Sequence, residues 1–211
     1  MFVPRRPLAL LLATSFTLAV PLLAHAQVWN ESPDAGSLVS TAQITVGSGS
    51  LAQINGNLDT PDDVDLFCID LTSSPPSGAA LLQLLCVAIS GPNLYLFDSN
   101  GYGVYETSLC SGGGKTIAQP SAPLPAGLYY VGVSYSGIEP QSAGGAIWST
   151  STILQHAPDG PGAAQPLLGW SGTPNVQPIN PYQIGLQGFS YCSGVTPTTK
   201  STWGTLKTHY R

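Results

Sequence analysis

Basic residues are almost missing from the body of this 211-residue chain. Between Gln27 and Thr199 the only one is Lys115, set against eleven acids. A protein without a basic face has nothing to neutralise a phosphate backbone, which argues against DNA or RNA as a partner. The acidic body is suited instead to solubility, to cations or to basic partners. Charge of either sign is scarce, at 8% of residues, while glycine and proline number 24 and 19. That combination fits helices poorly and fits many short strands joined by tight turns. No C-x-x-C pair is present, and only His156 and His209 lie beyond residue 26, so the rival reading of the cysteines as a zinc site is weak.

What the chain does have at its start is an export signal. Arg5 and Arg6 form a positive region, Pro7 to Leu23 an apolar core, and Ala24-His25-Ala26 an A-x-A cleavage site. The alternative is an uncleaved anchor, since about seventeen apolar residues approach the lower limit for crossing a bilayer. Small residues at the cleavage positions and Pro21 late in the segment favour removal. The paired arginines raise a twin-arginine route, but the residues that normally flank such a pair are missing, so general secretion is preferred. The expected division is a signal peptide over 1–26, a domain over 27–192, and a linker with a basic tail over 193–211. No other stretch is apolar and long enough to span a membrane, and the expected location is extracellular, cell-surface or periplasmic.

An exported chain with four cysteines, Cys68, Cys86, Cys110 and Cys192, points to two disulfides. Three connectivities are open, and the preferred one joins Cys86 to Cys110 and Cys68 to Cys192.

Strand signals recur with turn signals between them. Leu51 to Ile54 precedes Asn55-Gly56-Asn57. Val64 to Leu71 alternates so that Phe67, Ile69 and Leu71 share a face. Ala80 to Ile89 is nearly all apolar, and the Pro/Gly/Ser clusters around it favour a buried strand over a helix. Leu94 to Phe97 leads into the turn Asp98-Ser99-Asn100-Gly101. The densest β-signal is Leu128-Tyr129-Tyr130-Val131-Gly132-Val133. A long Gly/Pro-rich excursion from Ser136 to Pro181 follows, and then Tyr182 to Gln187 alternates with Tyr182, Ile184 and Leu186 inward. Strands without clear helices predict an all-β fold, an antiparallel β-sandwich with a long Gly/Pro-rich loop and a short C-terminal tail.

Four motifs in order, Asp63-Val64-Asp65-Leu66-Phe67, Leu94 to Gly101, Leu124 to Val131 and Tyr182 to Leu186, resemble those of the bacterial pre-peptidase C-terminal (PPC-like) domain over roughly Trp29 to Phe189. The match is to its single-domain relatives among exported bacterial proteins. The resemblance implies a jelly-roll β-sandwich acting as a non-catalytic accessory module. Some such modules bind polysaccharide or collagen, some bind calcium, and no catalytic residues come with the family. The relatives commonly carry an Asn-Asp-Asp run after the segment matching Gly103-Val104-Tyr105. Glu106-Thr107-Ser108 stands here instead, which weakens a metal reading of that loop.

Three site classes follow from the residues. Asp62, Asp63 and Asp65, with Asp98 and Asn100, offer the hard oxygen ligands that Ca²⁺ takes; the simpler alternative is that they are turn residues bonding nearby backbone. Trp148, Trp170, Tyr102, Tyr105 and Tyr135 are candidates to stack on sugar faces, against the alternative that Trp148 and Trp170 anchor the excursion. Enzymatic parts are wanting: Gly169-Trp170-Ser171-Gly172-Thr173 lacks the last glycine of a G-x-S-x-G elbow, and His156 near Asp159 reads as a surface histidine. No carboxylate pair is singled out for glycoside hydrolysis. In the tail, Trp203, Leu206 and Tyr210 fall on one helical face among Lys200, Lys207 and Arg211, a candidate docking peptide or a frayed end. The expected function is a secreted binding or adhesion module, with glycan as the first candidate partner. The alternatives are a structural envelope protein docked through its tail to an envelope partner, and a hydrolase.

Overall fold

The structure, a computed structural model, describes residues 27–85, 91–108, 114–149, 155–175 and 181–192. These residues form strands and no helix. One sheet is ordered β1 (Gln27–Asn30), β3 (Leu51–Gly56), β13 (Tyr182–Leu186), β5 (Ala80–Leu85), β8 (Gly114–Ala118). The second is ordered β14 (Phe189–Tyr191), β4 (Val64–Leu71), β9 (Gly127–Ser134), β6 (Asn93–Asp98), β7 (Gly103–Thr107). Short β2 (Gln43–Ile44) pairs parallel with Phe67 and Cys68 in the middle of β4, beside β14. β1 also runs parallel to its neighbour β3, and every other pairing within the two sheets is antiparallel.

The fold is a β-sandwich, as the alternation predicts. Phe67, Ile69 and Leu71 of β4, Leu94 and Leu96 of β6, and Val131 and Val133 of β9 pack on Leu51, Ile54, Leu82, Leu84 and Ile184 of the facing sheet. Each such side chain, removed from water, contributes on the order of 1.5–3 kcal/mol. Ile184 faces this core, and Leu186 packs at its edge. Cys68 is bonded to Cys192 with Cα atoms 5.4 Å apart, the preferred pairing for these two. Thr45 sits between them, its hydroxyl donating to the Cys68 carbonyl at 2.7 Å and accepting from the Cys192 amide at 2.9 Å. Cys86, Cys110, the expected signal peptide over 1–26 and the expected tail from Ser193 lie outside the described residues.

The excursion differs from the long loop that its glycines and prolines suggest. It carries a third, small sheet, with β10 (Ile138–Ser142) between β11 (Gly145–Ala146) and β12 (Gly169–Gly172). This sheet covers the outer face of the second. Leu66, Tyr95 and Phe97, opposite in phase to the inner residues of β4 and β6, form a second core with Ile147, Trp148 and Leu167. The central strands are therefore apolar on both faces. No helix among the described residues is long and apolar enough to cross a membrane.

Candidate functional site

Aromatic packing sets the position of the two excursion tryptophans. Trp148 is 2% exposed, with its ring centroid 5.6 Å from Tyr95 and 5.5 Å from Phe97. It fits because Gly103 has no side chain: a Cβ there would stand 2.7 Å from the Trp148 ring. Trp170, on β12, meets the same two rings at 5.2 and 6.2 Å. Its Nε1 donates to the Ser37 carbonyl at 2.7 Å, which turns the polar edge of the indole inward to a partner. Trp170 is only partly buried, and it forms the wall of a shallow recess of about 340 Å³.

That recess lies where the β3–β4 turn, the Ser37-Leu38 segment and the strand β12 meet. Its lining is mixed: Trp170, Ile138 and Leu168 are apolar, Ser37 and Ser171 carry hydroxyls, and Asp62 supplies a carboxylate. Leu168 is 61% exposed at the rim. Asp62 Oδ1 accepts a hydrogen bond from the Thr60 hydroxyl at 2.9 Å. Trp170 and Asp62, assigned from sequence to different chemistries, therefore belong to one surface feature.

The other candidate rings are elsewhere. Tyr135 is buried and donates to the Leu58 carbonyl at 3.3 Å. Tyr105 is half-buried on β7. Tyr102 is 41% exposed in the β6–β7 turn, but does not line the recess.

The acidic candidates also separate. Asp98 caps its own turn, accepting from the Asn100 and Tyr102 amides at 2.8 and 3.0 Å, while exposed Asn100 lies at the turn tip. Asp63 accepts from the Asp59 and Val64 amides at 2.6 and 2.8 Å. Burial raises its pKa, with further upward pressure from Asp34 and Asp59. Asp65, on β4, is fully buried and accepts the Tyr182 hydroxyl proton at 2.5 Å. Burial, with Glu31 and Asp63 adding to it, pushes its pKa up to about 9 against the lowering effect of that hydrogen bond. The structure groups Asp65 with Glu31 and Asp34, and Asp98 pairs toward the other end of β9.

A second polar cluster lies buried beneath the excursion. Lys115 on β8 is fully buried, its Nζ donating to the Gly91 carbonyl at 2.7 Å and to Asn93 Oδ1 at 2.9 Å. Tyr95 donates to Glu139 Oε2 at 3.0 Å. His156 is a correction to the surface reading: its side chain is 11% exposed, with Nε2 3.1 Å from Glu106 Oε1. Reciprocal backbone bonds between Glu106 and His156 draw the excursion onto β7. Burial, then Glu139 and Asp159, push the Glu106 pKa up to about 8; burial brings Lys115 down to about 8, against Glu139 and Glu106. Neither Glu106 nor Glu139 lines the recess. Ser171, the serine of the incomplete elbow, is exposed on β12. The buried cluster was not legible beforehand because Lys115, Glu106 and Glu139 lie on three strands that only the fold brings together.

No protein-family model matches the chain, and no curated protein matches it in sequence.

Proposed function

We propose that this chain is an exported, non-catalytic binding module whose Trp170 recess takes a saccharide. The observation that carries the reading is the composition of that recess, in which a partly buried indole adjoins the Asp62 carboxylate and the Ser171 hydroxyl. A pyranose presents an apolar face of C–H groups and an equatorial ring of hydroxyls, and this surface offers a partner to each. Trp170 is held by Tyr95, Phe97 and the Ser37 carbonyl, so it is ordered before a ligand arrives and loses little freedom on binding. Its resemblance to PPC-like accessory domains supports the same reading. Glycoside hydrolysis needs two facing carboxyl groups, and among the described residues Asp62 alone brings one to the recess.

The test is a glycan-array screen of the purified protein beside its Trp170→Ala variant. Binding to a defined glycan by the parent, lost in the variant, supports the reading. Equal binding by both, or none by either, rejects it.

A further inference from the structure

Lys115 is the one lysine or arginine between residues 27 and 199, and the fold places it in the interior rather than on the surface. A buried ammonium is costly unless an opposite charge answers it. The answer stands one group away. Lys115 Nζ donates to Asn93 Oδ1 at 2.9 Å, and Asn93 Nδ2 donates on to Glu139 Oε1 at 3.3 Å. An ammonium has only protons to give and a carboxylate only lone pairs to offer, so the two charges fix the orientation of the amide between them. Against burial, Glu139 first and Glu106 second hold the Lys115 pKa up.

Glu139 in turn reaches the Trp170 recess by two routes. One runs through a ring. Tyr95, fully buried on β6, donates its hydroxyl proton to Glu139 Oε2 at 3.0 Å and accepts from Asn93 Nδ2 at 3.1 Å. Its ring meets Trp170 edge-on, with centroids 5.2 Å apart. The other route runs through the backbone, since Glu139 pairs with Ser171, and Pro140 with Trp170, across the β10–β12 ladder. Ile138, on the other side of Glu139, lines the recess with Trp170 and Ser171. Its carbonyl, at 3.3 Å, is the alternative acceptor for the Tyr95 proton. The hold of the Glu139 carboxylate on that proton therefore decides how the ring against Trp170 is tethered.

We propose that Lys115 is a positioning residue for the recess: its charge, relayed by Asn93, holds Glu139, and Glu139 holds Tyr95 and with it the face that Trp170 presents. Loss of the Lys115 proton leaves Glu139 without its counter-charge and frees the amide to turn, because a neutral amine accepts as well as donates. The titratable groups facing Lys115 and its relay are Glu106 from β7, Tyr95 from β6 and Glu139 from β10, with His156 and Asp159 of the excursion acting through Glu106. As regulation of saccharide binding the inference rests on the function proposed above, whereas the coupling of Lys115 to Trp170 is read without any ligand.

The test is a pH titration of the purified, ligand-free protein, followed through the ¹H–¹⁵N resonance of the Trp170 indole. A reversible step is expected near pH 8, where burial brings the Lys115 pKa. The step should vanish in Lys115→Met, which removes the titrating group, and in Glu139→Gln, which keeps the shape of the side chain and removes its charge. Where Lys115→Met fails to fold, Glu139→Gln decides. The step should persist in Glu106→Gln, since Glu106, which also titrates near pH 8, bonds to His156 instead. A Trp170 resonance that does not move across pH 8 overturns the proposal, and so does a step that survives in Glu139→Gln or disappears in Glu106→Gln. A glycan found by the array should bind about two- to fivefold more weakly above the step than below it, the loss of one hydrogen bond's net energy. Equal affinity on both sides would overturn the claim of regulation. A step with no glycan bound rejects the saccharide reading alone, and glycan binding without a step rejects this inference alone.

Discussion

Two tryptophans of one Gly/Pro-rich excursion, Trp148 and Trp170, touch the same pair of rings and are put to different use. Trp148 is enclosed in the second core, with Gly103 leaving room for its ring. Trp170 reaches Tyr95 and Phe97 by an edge and keeps part of its ring against an open recess. Residue type does not separate an anchor from a binding surface. The difference comes from what stands on the remaining side: Ile147 and Pro158 near Trp148, and the shallow space beside Asp62 and Leu168 near Trp170.

Substitutions can break that contrast in a graded way. Trp148→Ala should cost about 3–5 kcal/mol of stability, the usual loss for a large buried ring, read as a lower urea midpoint. Gly103→Ala pushes a methyl group into the same ring and should cost about 1–3 kcal/mol. The two losses should be less than additive in a double variant, because the truncated side chain leaves room for the methyl.

The buried polar cluster beneath the excursion should respond to pH. The Glu106 pKa is raised to about 8 from 4.5, so its contribution to stability is complete below pH 4.5 and is lost as pH rises to about 8. The Lys115 pKa is lowered to about 8 from 10.5, so its contribution is complete above pH 10.5 and is lost as pH falls to about 8. Asp65, raised to about 9 from 3.8, loses its contribution over the same rise, so the melting temperature should pass through a minimum between about pH 8 and about pH 9. Lys115→Met should remove the alkaline limb of that minimum.

At the Trp170 end stability should matter less and binding more. Trp170→Ala should lower affinity for a bound glycan about tenfold, in line with about 1.4 kcal/mol for an aromatic contact. Asp62→Asn, which keeps the shape and removes the charge, should have the smallest effect, about two- to fivefold by the same calorimetric titration, equivalent to losing one neutral hydrogen bond's worth of net energy.

Much of the sandwich is visible in the sequence because β4 and β13 alternate while β6 and β9 are short runs of apolar, aromatic and β-branched residues between turn signals, and both are local properties. Phe67, Ile69 and Leu71 read as one face and form one. The strands that escape notice break a local rule. β10 carries Pro140, and β8 is Gly-Lys-Thr-Ile-Ala, whose lysine reads as surface until Gly91 and Asn93 are seen to accept from it. His156 misleads for the same reason, since its Gly/Pro-rich surroundings resemble an exposed loop. Sites are less legible than strands. Asp65 stands out as part of an acidic run, but its partners Glu31 and Asp34 lie some thirty residues earlier, and no spacing rule links them. Of five candidate rings, sequence offers no means of telling that Trp170 alone would line the recess.

The most direct measurement is a ¹H–¹⁵N spectrum of the tryptophan indoles during titration with soluble hexasaccharides of cellulose, xylan and chitin. With at least one of them the Trp170 indole resonance should shift in a saturable way while that of Trp148 stays fixed. Saturable shifts of Trp148 with Trp170 unmoved, or no shift with any of the three, would contradict the saccharide reading.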